Sequence, residues 1–389
     1  MKCPVPCLLL VLLLAGATSA ATITVRKDGT GDFSVIQQAL DAAAAGDTIL
    51  IGPGQFEDHS TVRLPGWSWD IESYAYVTAD DLTIIGAGAD QTLIGPAVYS
   101  GVYGTFTPQA MSYQNGGTIR ISDLCLRNSW NALQLTGTLY MDRCSIFDNG
   151  NGLFWHPVGA GGWVKDSQFD AFSYSLGPTA LDVGSGDAGS NILVEGCQFS
   201  RSLTVVRGVN GLTFRNCDFV NGEQALQVYF AAHVYVESCR ISNQSYAGVE
   251  LTLGSGAVCE INGSEVAGDL SALVCRQVGG RFTVDNSRLE GGYHALLWAY
   301  GCPGPTTIHG CDLIKGSGPI VRCGAYEPTV VHDLRNNYWG TTSETDIQSW
   351  IIDSNDDPNN HATVLYAPFA GQSVPAETTT WGDLKALFR

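Results

Sequence analysis

A six-residue pattern of apolar and polar positions repeats along the central part of the chain. The pattern is apolar at its first and sixth positions and polar or small between them. Ten copies align without gaps: ISDLCL from Ile121, MDRCSI from Met141, VKDSQF from Val164, VEGCQF from Val194, FRNCDF from Phe214, VESCRI from Val236, INGSEV from Ile261, VDNSRL from Val284, IHGCDL from Ile308 and LRNNYW from Leu334. Successive copies start 20 to 30 residues apart, and a period in this range is typical of stacked solenoids.

Three short segments with alternating apolar residues fall within each period. The first segment ends at the first position of the pattern, and the second covers its fourth to sixth positions. The third follows five to fifteen residues later, as in ALQL at 132–135, ALDV at 180–183 and GVEL at 248–251. Alternation of this kind predicts a strand with one buried face. Three such strands in every period predict an all-β fold, a single-stranded right-handed parallel β-helix.

The third position of the pattern supports this interpretation over a leucine-rich repeat, which has a similar period. It reads Asp123, Arg143, Asp166, Gly196, Asn216, Ser238, Gly263, Asn286, Gly310 and Asn336. Nine of these ten residues are Gly, Asn, Asp or Ser. Glycine adopts positive φ without steric cost, and Asn and Asp tolerate it better than most residues. We therefore expect a left-handed corner in every coil, which a leucine-rich repeat would not require.

The fourth position is most often Cys or Ser, and we expect it to point into the interior. Neighbouring coils stack about 4.8 Å apart, so Cys197, Cys217 and Cys239 would form one straight internal file. Side chains in such a file do not converge on a metal ion, and we interpret them as small core residues. Cys302 and Cys323 lie in Gly- and Pro-rich loops, where a disulfide and two thiols remain equal alternatives. The sequence indicates no cofactor and no metal site.

The two ends of the chain carry cap signals. SVIQQALDAAAAGD places Ile36 and Leu40 on one helical face, with Ser34 as the expected N-cap and Gly46 as the expected stop. SETDIQSWIIDSNDD, near the other end, predicts a second short helix, and ATVLYAPF predicts a final strand. We assign the β-helix and its caps to residues 21–370 and a C-terminal tail to residues 371–389.

Residues 1–20, MKCPVPCLLLVLLLAGATSA, predict a cleaved export signal. Lys2 precedes an apolar run that is too short to span a bilayer, and small residues follow it. Because no Cys follows the run, we expect no lipid anchor, and we expect a secreted or periplasmic protein. The net charge of −18 argues against nucleic acid as a partner and against anionic membrane surfaces. We expect no membrane insertion and a monomer.

The opening segment VRKDGTGDFSVIQQALDAAAAGDTILIGPGQF resembles the entry segment of right-handed parallel β-helix proteins, among them pectate lyases, pectin methylesterases and uncharacterised secreted bacterial proteins. NNYWGTTSETDIQSWIIDSNDDPNNHATVLYAPF resembles the end of that last group. The resemblance covers nearly the whole mature chain and implies the β-helix fold. The chain lacks the methylesterase motifs GxVDFIFG and LGRPW, and its central coils lack the polygalacturonase motifs NTD and DD.

The resemblance also implies that the working surface is the outer face of the third strand of each coil. The expected outward column is Gln134, Phe154, Asp182, Val206, Gln227, Glu250, Val274 and Leu297. The predicted binding residues on or beside this column are Gln134, Phe154, Asp182, Gln227, Tyr229 and Glu250. Exposed aromatic rings beside amides suit sugar rings, although Trp155 and Trp298 fall on inward positions and are expected in the core. Arg207 and Arg322 also fall on expected inward positions.

Two functions are compatible with this column. We favour a non-catalytic module that binds polysaccharide or another extracellular partner. The alternative is a polysaccharide lyase or glycoside hydrolase acting on an acidic glycan. Asp182 and Glu250 would lie three coils apart, about 14 Å, whereas glycosidase carboxylates lie about 5–9.5 Å apart. Asp353, Asn355 and Asp357 alternate like calcium ligands, but the loop lacks the usual Gly and closing Glu, so we favour a polar loop.

Overall fold

The computed structural model describes residues 20–63, 70–98, 108–159, 161–170, 179–184, 191–230, 233–298, 302, 304, 306–324 and 329–373. The predicted export signal lies outside these residues apart from Ala20, and the predicted tail lies outside them apart from its first three positions. Among the described residues, no helix combines the length and the hydrophobicity needed to cross a membrane.

The described strands form three long sheets, and each coil from β6 to β35 contributes one strand to each of them. Sheet A contains β1 (Thr22–Val25), β2 (Thr48–Ile51), β6 (Leu82–Ile85), β9 (Thr118–Ser122), β12 (Thr138–Asp142), β15 (Gly161–Lys165), β18 (Asn191–Glu195), β21 (Asn210–Arg215), β24 (His233–Glu237), β27 (Val258–Asn262), β30 (Arg281–Asp285), β33 (Thr306–His309), β36 (Val330–Asp333) and β38 (Ala362–Leu365), in that order. Their pairing is parallel throughout, for example between β21 and β24.

Sheet B follows sheet A along each coil, and sheet C follows sheet B. Sheet B contains β3 (Gly54–Phe56), β7 (Thr92–Ile94), β10 (Cys125–Arg127), β13 (Ser145–Phe147), β16 (Gln168–Asp170), β19 (Gln198–Ser200), β22 (Asp218–Val220), β25 (Arg240–Ser242), β28 (Glu265–Gly268), β31 (Arg288–Gly291) and β34 (Asp312–Ile314). Sheet C contains β4 (Ser60–Arg63), β5 (Asp70–Val77), β8 (Gln109–Tyr113), β11 (Asn131–Thr136), β14 (Asn151–His156), β17 (Thr179–Val183), β20 (Leu203–Arg207), β23 (Gln224–Phe230), β26 (Ala247–Leu253), β29 (Ser271–Val278), β32 (His294–Trp298), β35 (Val321–Cys323) and β37 (Ile351–Ile352). Only the β4–β5 pair is antiparallel among these described strands. The predicted β-helix is confirmed.

The predicted left-handed corner between sheets A and B occurs in every copy of the repeat. All ten third-position residues have φ between +47° and +63°. The group includes Arg143 at +49°, although Arg has no intrinsic preference for this conformation. The backbone geometry of the coil therefore decides the conformation at this position, and the preference for Gly, Asn and Asp lowers its cost.

The fourth-position side chains point inward as predicted, and all ten are buried. They also link neighbouring coils, because the Ser264 hydroxyl accepts the backbone N–H of Cys239 at 3.1 Å and Asn337 Oδ1 accepts that of Cys311 at 2.8 Å. The strands of sheet B begin one residue later than predicted, at the fifth position of the pattern. The fourth residue is thus part of the corner, where its backbone N–H needs a partner outside the ladder.

The interior is filled by files of apolar side chains, one from each coil. At the sixth position, Phe169, Phe199 and Phe219 stack with ring centroids 4.8 and 4.7 Å apart. Trp155 and Trp298 are fully buried, as their inward positions predict. Because each coil contacts mainly its two neighbours, the outer faces of the sheets repeat at the strand spacing, and residues on adjacent coils form straight columns.

Both predicted cap helices are present, with different boundaries. Helix α1 (Ile36–Ala42) has Val35 at its N-cap and no side-chain capping bond, so the prediction that Ser34 caps it is wrong. Its last helical residue is Ala42, because the next residue, Ala43, is already extended. The helix therefore stops before Gly46, where the sequence predicted its end. Helix α2 (Glu344–Ser349) is capped by Ser343, whose hydroxyl accepts the backbone N–H of Asp346. Both helices lie at ends of the β-helix, where exposed strand edges need cover.

Candidate functional site

The predicted binding residues lie together on the outer face of sheet C. Strand pairing gives one outward column that runs Gln134, Phe154, Asp182, Val205, Gln227, Glu250, Val274, Leu297 and Arg322. Tyr229 follows Gln227 by two residues on the same strand and pairs with Arg207 on the preceding coil. The residues predicted to face outward on the third strand therefore do so, with one exception.

The exception is Val206, which points into the core and is fully buried. Strand β17 contains one extra residue between Thr179 and Leu181, and this irregularity shifts the pairing with β20 by one position. Val205 takes the outward place, and Arg207 is outward as well. Arg322 pairs with Leu297 and is also outward. The prediction that both arginines point inward is wrong, and the outward position keeps each charge in water.

A buried carboxylate and an exposed guanidinium form the core of the site. Glu250 lies on the outer face, yet its side chain is only 5% exposed, whereas that of Arg276 is 41% exposed. Glu250 Oε1 accepts from Arg276 Nε at 2.7 Å, and its Oε2 accepts from Gln224 Nε2 at 2.6 Å. Arg276 also donates to the Tyr246 hydroxyl at 3.0 Å. Both carboxylate oxygens are therefore engaged, and they orient the guanidinium.

Hydrogen bonds extend this cluster to Tyr229. The Tyr229 hydroxyl donates to Gln227 Oε1 at 2.8 Å, and Gln227 Nε2 donates to Gln224 Oε1. Gln224 in turn donates to Glu250, so a continuous path joins the phenol to the buried carboxylate. Burial raises the pKa of Tyr229, and the nearby Glu250 carboxylate adds to the effect. The phenol is thus a neutral hydrogen-bonding group at physiological pH.

A second buried carboxylate lies three coils away. The Asp182 side chain is 8% exposed, and its Oδ2 lies 3.6 Å from Arg207 Nη1, whose side chain is 55% exposed. Burial raises the pKa of Asp182, although the charges of Arg207 and His156 oppose that effect. The His156 imidazole lies over the neighbouring coil, where a Cβ at Gly184 would come within 2.6 Å of its Nδ1. A side chain at position 184 would clash with this imidazole, and Gly184 avoids the clash.

The N-terminal end of the column is uncharged. Gln134 Oε1 accepts from Gln109 Nε2 at 2.8 Å, and the Ser112 hydroxyl donates to Gln109 Oε1. Phe154 follows on the next coil and is half-buried. This end therefore offers amides and one aromatic ring, while the centre offers two exposed guanidinium groups.

The geometry limits the chemistry of this face. Asp182 and Glu250 are three strands apart in sheet C, about 14 Å, which exceeds the separation of glycosidase carboxylates of about 5–9.5 Å. Glu250 has both oxygens bonded, and an arginine guanidinium stays protonated in proteins. Guanidinium groups do suit planar recognition of carboxylates through two parallel hydrogen bonds. The face is therefore better equipped to bind anionic groups than to exchange protons.

The described residues show no cluster of three or more His, Cys, Asp or Glu side chains that could hold a metal ion. In the loop considered for calcium, Asp353 accepts the backbone N–H groups of Asn355 and Val364, each at 2.8 Å. Asp357 Oδ1 accepts the N–H of Asn359 at 2.9 Å. These bonds support the polar-loop interpretation, since the carboxylates already stabilise the turn.

Cys302 and Cys323 are buried thiols, and the Cys302 thiol donates to the carbonyl of Cys275 at 3.5 Å. Their surroundings are apolar, which suits small core residues.

Comparison with known proteins agrees with this architecture. Residues 174–313 match a family model described as a right-handed beta helix region. The matched stretch includes the coils that carry Asp182, Glu250 and Arg276. The chain has a right-handed parallel β-helix fold. No curated protein matches the sequence.

Several solved structures are similar to this chain at low sequence identity. An alginate lyase of the PL6 family is 10% identical with a TM-score of 0.48, over 91% of this chain and 53% of that one, so this chain spans about half the lyase's length. A mannuronic acid specific family 6 lyase from human gut microbiota is 9% identical with a TM-score of 0.43, over 90% and 92% of the two chains. The pectin methylesterase of Erwinia chrysanthemi is 11% identical with a TM-score of 0.25, over 95% of each chain.

Arg276, Gln224 and Tyr246 complete the site and were not predicted from the sequence. Arg276 is an extra residue in β29, since Cys275 pairs with Leu251 and Gln277 pairs with Thr252. Such bulges re-aim a side chain and are common near functional sites. The available signal was an arginine directly after the buried segment ALVC at 272–275, but its direction depends on the bulge.

Proposed function

We propose that this protein binds acidic polysaccharide along the outer face of sheet C and does not cleave it. The observation that carries the proposal is the pair of exposed guanidinium groups on Arg207 and Arg276, each beside a buried carboxylate. Buried counter-ions hold the guanidinium groups in place, so less conformational entropy is lost when a ligand binds. Sugar carboxylates are the ligand groups that suit them.

The spacing of the two guanidinium groups fits an extended polymer. Arg207 and Arg276 lie on strands three steps apart in sheet C, about 14 Å at one strand spacing per coil. They can therefore engage different sugar units of one chain. Tyr229 pairs with Arg207 and offers a half-buried ring between the two groups, where a sugar face can stack. The Gln134 and Phe154 end would accept less charged units.

Titration calorimetry tests the proposal, with polygalacturonate and alginate as acidic probes and dextran as the neutral one. We expect both acidic polymers to bind, and we expect the double variant Arg207→Gln, Arg276→Gln to bind at least tenfold more weakly. Arg240→Gln is the matched control, because Arg240 is a similarly exposed arginine on sheet B. Equal loss in the control, or no binding of either acidic polymer by the wild type, would contradict the proposal.

A second candidate function is elimination within an acidic polysaccharide, and one observation favours it. His156 is exposed and lies near Asp182, whose pKa is raised by burial. An imidazole can take a proton near neutral pH, and Arg207 would neutralise the adjacent uronate carboxylate. Incubation with the same acidic polymers, followed by ultraviolet absorbance of unsaturated uronate, distinguishes the two functions. Absorbance that grows with the wild type and stops in His156→Ala would replace the binding-only proposal.

The proposal also includes a location outside the cytoplasm and a monomeric state, without nucleic acid as a partner. The predicted export signal and the net charge of −18 support these parts. N-terminal sequencing of protein recovered from the periplasm and the medium tests the location, with a start shortly after residue 20 as the expected result. Light scattering during size-exclusion chromatography tests the monomer.

A further inference from the structure

A furrow of about 420 Å³ lies on the outer face of sheet A, away from the site on sheet C. Five of its lining residues carry the argument: Arg120, Tyr140, Asp142, Arg143 and Trp163. They come from three neighbouring strands, β9, β12 and β15, and from the corner that follows β12. The furrow therefore spans three coils of the solenoid.

One wall of the furrow is aromatic. Tyr140 and Trp163 pair in register on adjacent strands, and their ring centroids are 5.5 Å apart with the planes tilted by 53°. The Arg120 guanidinium lies 5.3 Å from the centre of the Tyr140 ring and extends this wall. Both rings are only half-buried. An aromatic platform of this kind offers apolar surface that stays in contact with water.

The position of Trp163 is set by the backbone. Gly162, directly before it, has φ of +125°, and a Cβ at this residue would lie 1.9 Å from the carbonyl oxygen of Leu139. Only glycine allows β15 to approach β12 so closely. The platform is therefore built by a specific feature of the strand, and the Trp163 ring is held on a rigid element.

The other wall of the furrow is polar and nearly balanced in charge. Arg143 donates to both carboxylate oxygens of Asp123, each at 2.8 Å, and pairs with Asp142. Arg120 pairs with Asp81 at 2.5 Å. The two guanidinium groups thus face three carboxylates, those of Asp81, Asp123 and Asp142, so the net charge of this cluster is −1 and it does not attract an anion. Its guanidinium and carboxylate groups are still able to hydrogen-bond hydroxyl groups.

We propose that this furrow binds a neutral sugar ring of a polysaccharide. A pyranose has an apolar C–H face and a rim of hydroxyl groups, and the furrow has one wall for each. The volume lies within the range of small-molecule sites of about 300–1,000 Å³. This site goes beyond the proposed function, because it lies on a different sheet and recognises a different kind of sugar unit.

Saturation-transfer NMR with the full chain tests the proposal. The probes are neutral hexasaccharides of β-1,4-linked glucose, β-1,3-linked glucose and β-1,4-linked mannose, and hexagalacturonate is the acidic comparison. We expect at least one neutral probe to bind, and we expect Trp163→Ala and Tyr140→Ala each to weaken it at least fivefold. Phe147→Ala is the control, because Phe147 is 42% exposed on sheet B. It should leave binding unchanged.

Thermal unfolding identifies any variant that fails to fold, and the second aromatic variant then decides the result. The double variant Arg207→Gln, Arg276→Gln should still bind the neutral probe, so failure of the sheet C proposal is distinguishable from failure of this one. Absence of binding by all three neutral probes would overturn the inference. So would preferential binding of hexagalacturonate at this furrow, or neutral binding that survives both aromatic variants.

Discussion

Sheets A and C present the same kind of charge pair on their outer faces, but in different environments. On sheet C, Arg276 pairs with Glu250, whose side chain is 5% exposed. On sheet A, Arg215 pairs with Glu237 at 2.9 Å, and the Glu237 side chain is 38% exposed. The residue types and distances are nearly matched, and the burial of the carboxylate differs. The comparison indicates that a similar contact can hold a guanidinium group in place on one face and contribute little on the other.

The carboxylate pKa values differ in direction between the faces as well. Burial raises the pKa of Asp182 on sheet C. Hydrogen bonds from Arg143 lower the pKa of Asp123 at the corner beside sheet A. Ionisation is therefore disfavoured by the protein in the first case and favoured in the second. Three predictions test this difference, and they begin with the largest expected effect.

Replacement of the buried carboxylate should destabilise the protein most. We expect Glu250→Ala to lower the free energy of unfolding by about 1–3 kcal/mol, because it leaves the buried Gln224 amide without its acceptor. The matched variant Glu237→Ala should cost less than about 1 kcal/mol, as exposed pairs do. Urea unfolding followed by circular dichroism measures both. Similar costs for the two variants would show that burial of the carboxylate does not change how much its ion pair contributes to stability.

Neutral isosteres of the two aspartates should change stability in opposite directions. The folded-state pKa of Asp182 is raised, so its favourable contribution is present below the unfolded pKa of 3.8 and is lost as pH rises through the folded value. Asp182→Asn should therefore stabilise the protein at neutral pH, by on the order of 1 kcal/mol, and the gain should disappear in acid. Urea midpoints measured from acid to neutral pH provide the readout.

Replacement of Asp123, at the corner beside sheet A, should change the stability in the opposite direction. The pKa of Asp123 is lowered, so its contribution is present above 3.8 and is lost as pH falls through the folded value. Asp123→Asn should destabilise the protein at neutral pH by less than about 1 kcal/mol, and the cost should disappear in acid. If both isosteres shift the urea midpoint in the same direction, the proposed opposite effects of the protein on the Asp182 and Asp123 carboxylates would be contradicted.

Salt should produce the smallest effect. Between about 0.1 M and about 1 M salt the screening length falls from about 10 Å to about 3 Å. We expect the cost of Glu237→Ala to vanish at the higher concentration, because that pair is in contact with water. The cost of Glu250→Ala should keep most of its size. Repetition of the urea experiment at both concentrations is sufficient, and a parallel decline of the two costs would contradict the expectation.

The sequence predicted the coils well because each position of the repeat has a local chemical cause. The corner residue must adopt positive φ and the sixth residue must fill the core, so both choices are visible in the sequence. The outer face of sheet C was predicted less completely. One extra residue in β17 and another in β29 change which side chains face outward. Alternation has a period of two, so a single insertion moves every following side chain to the other face.

This sensitivity explains the errors on Val206, Arg207 and Arg276. Nothing local marks a bulge within a segment such as ALVCRQV, because the apolar pattern is compatible with either side. The long-range bonds of the site are equally invisible in the sequence. Gln224 and Glu250, for example, are 26 residues apart and come together only through strand pairing.

All ten cysteines among the described residues are buried, and in an oxidising compartment this sets a requirement on the timing of folding. Once the coils are stacked, oxidants and other thiols have no access to the interior, so the cysteines stay chemically inert. Before stacking, the same ten groups are accessible, and an oxidising compartment would join them in arrangements that the straight internal file does not permit. A chain that folds in an oxidising compartment must therefore complete its coils faster than its cysteines are oxidised.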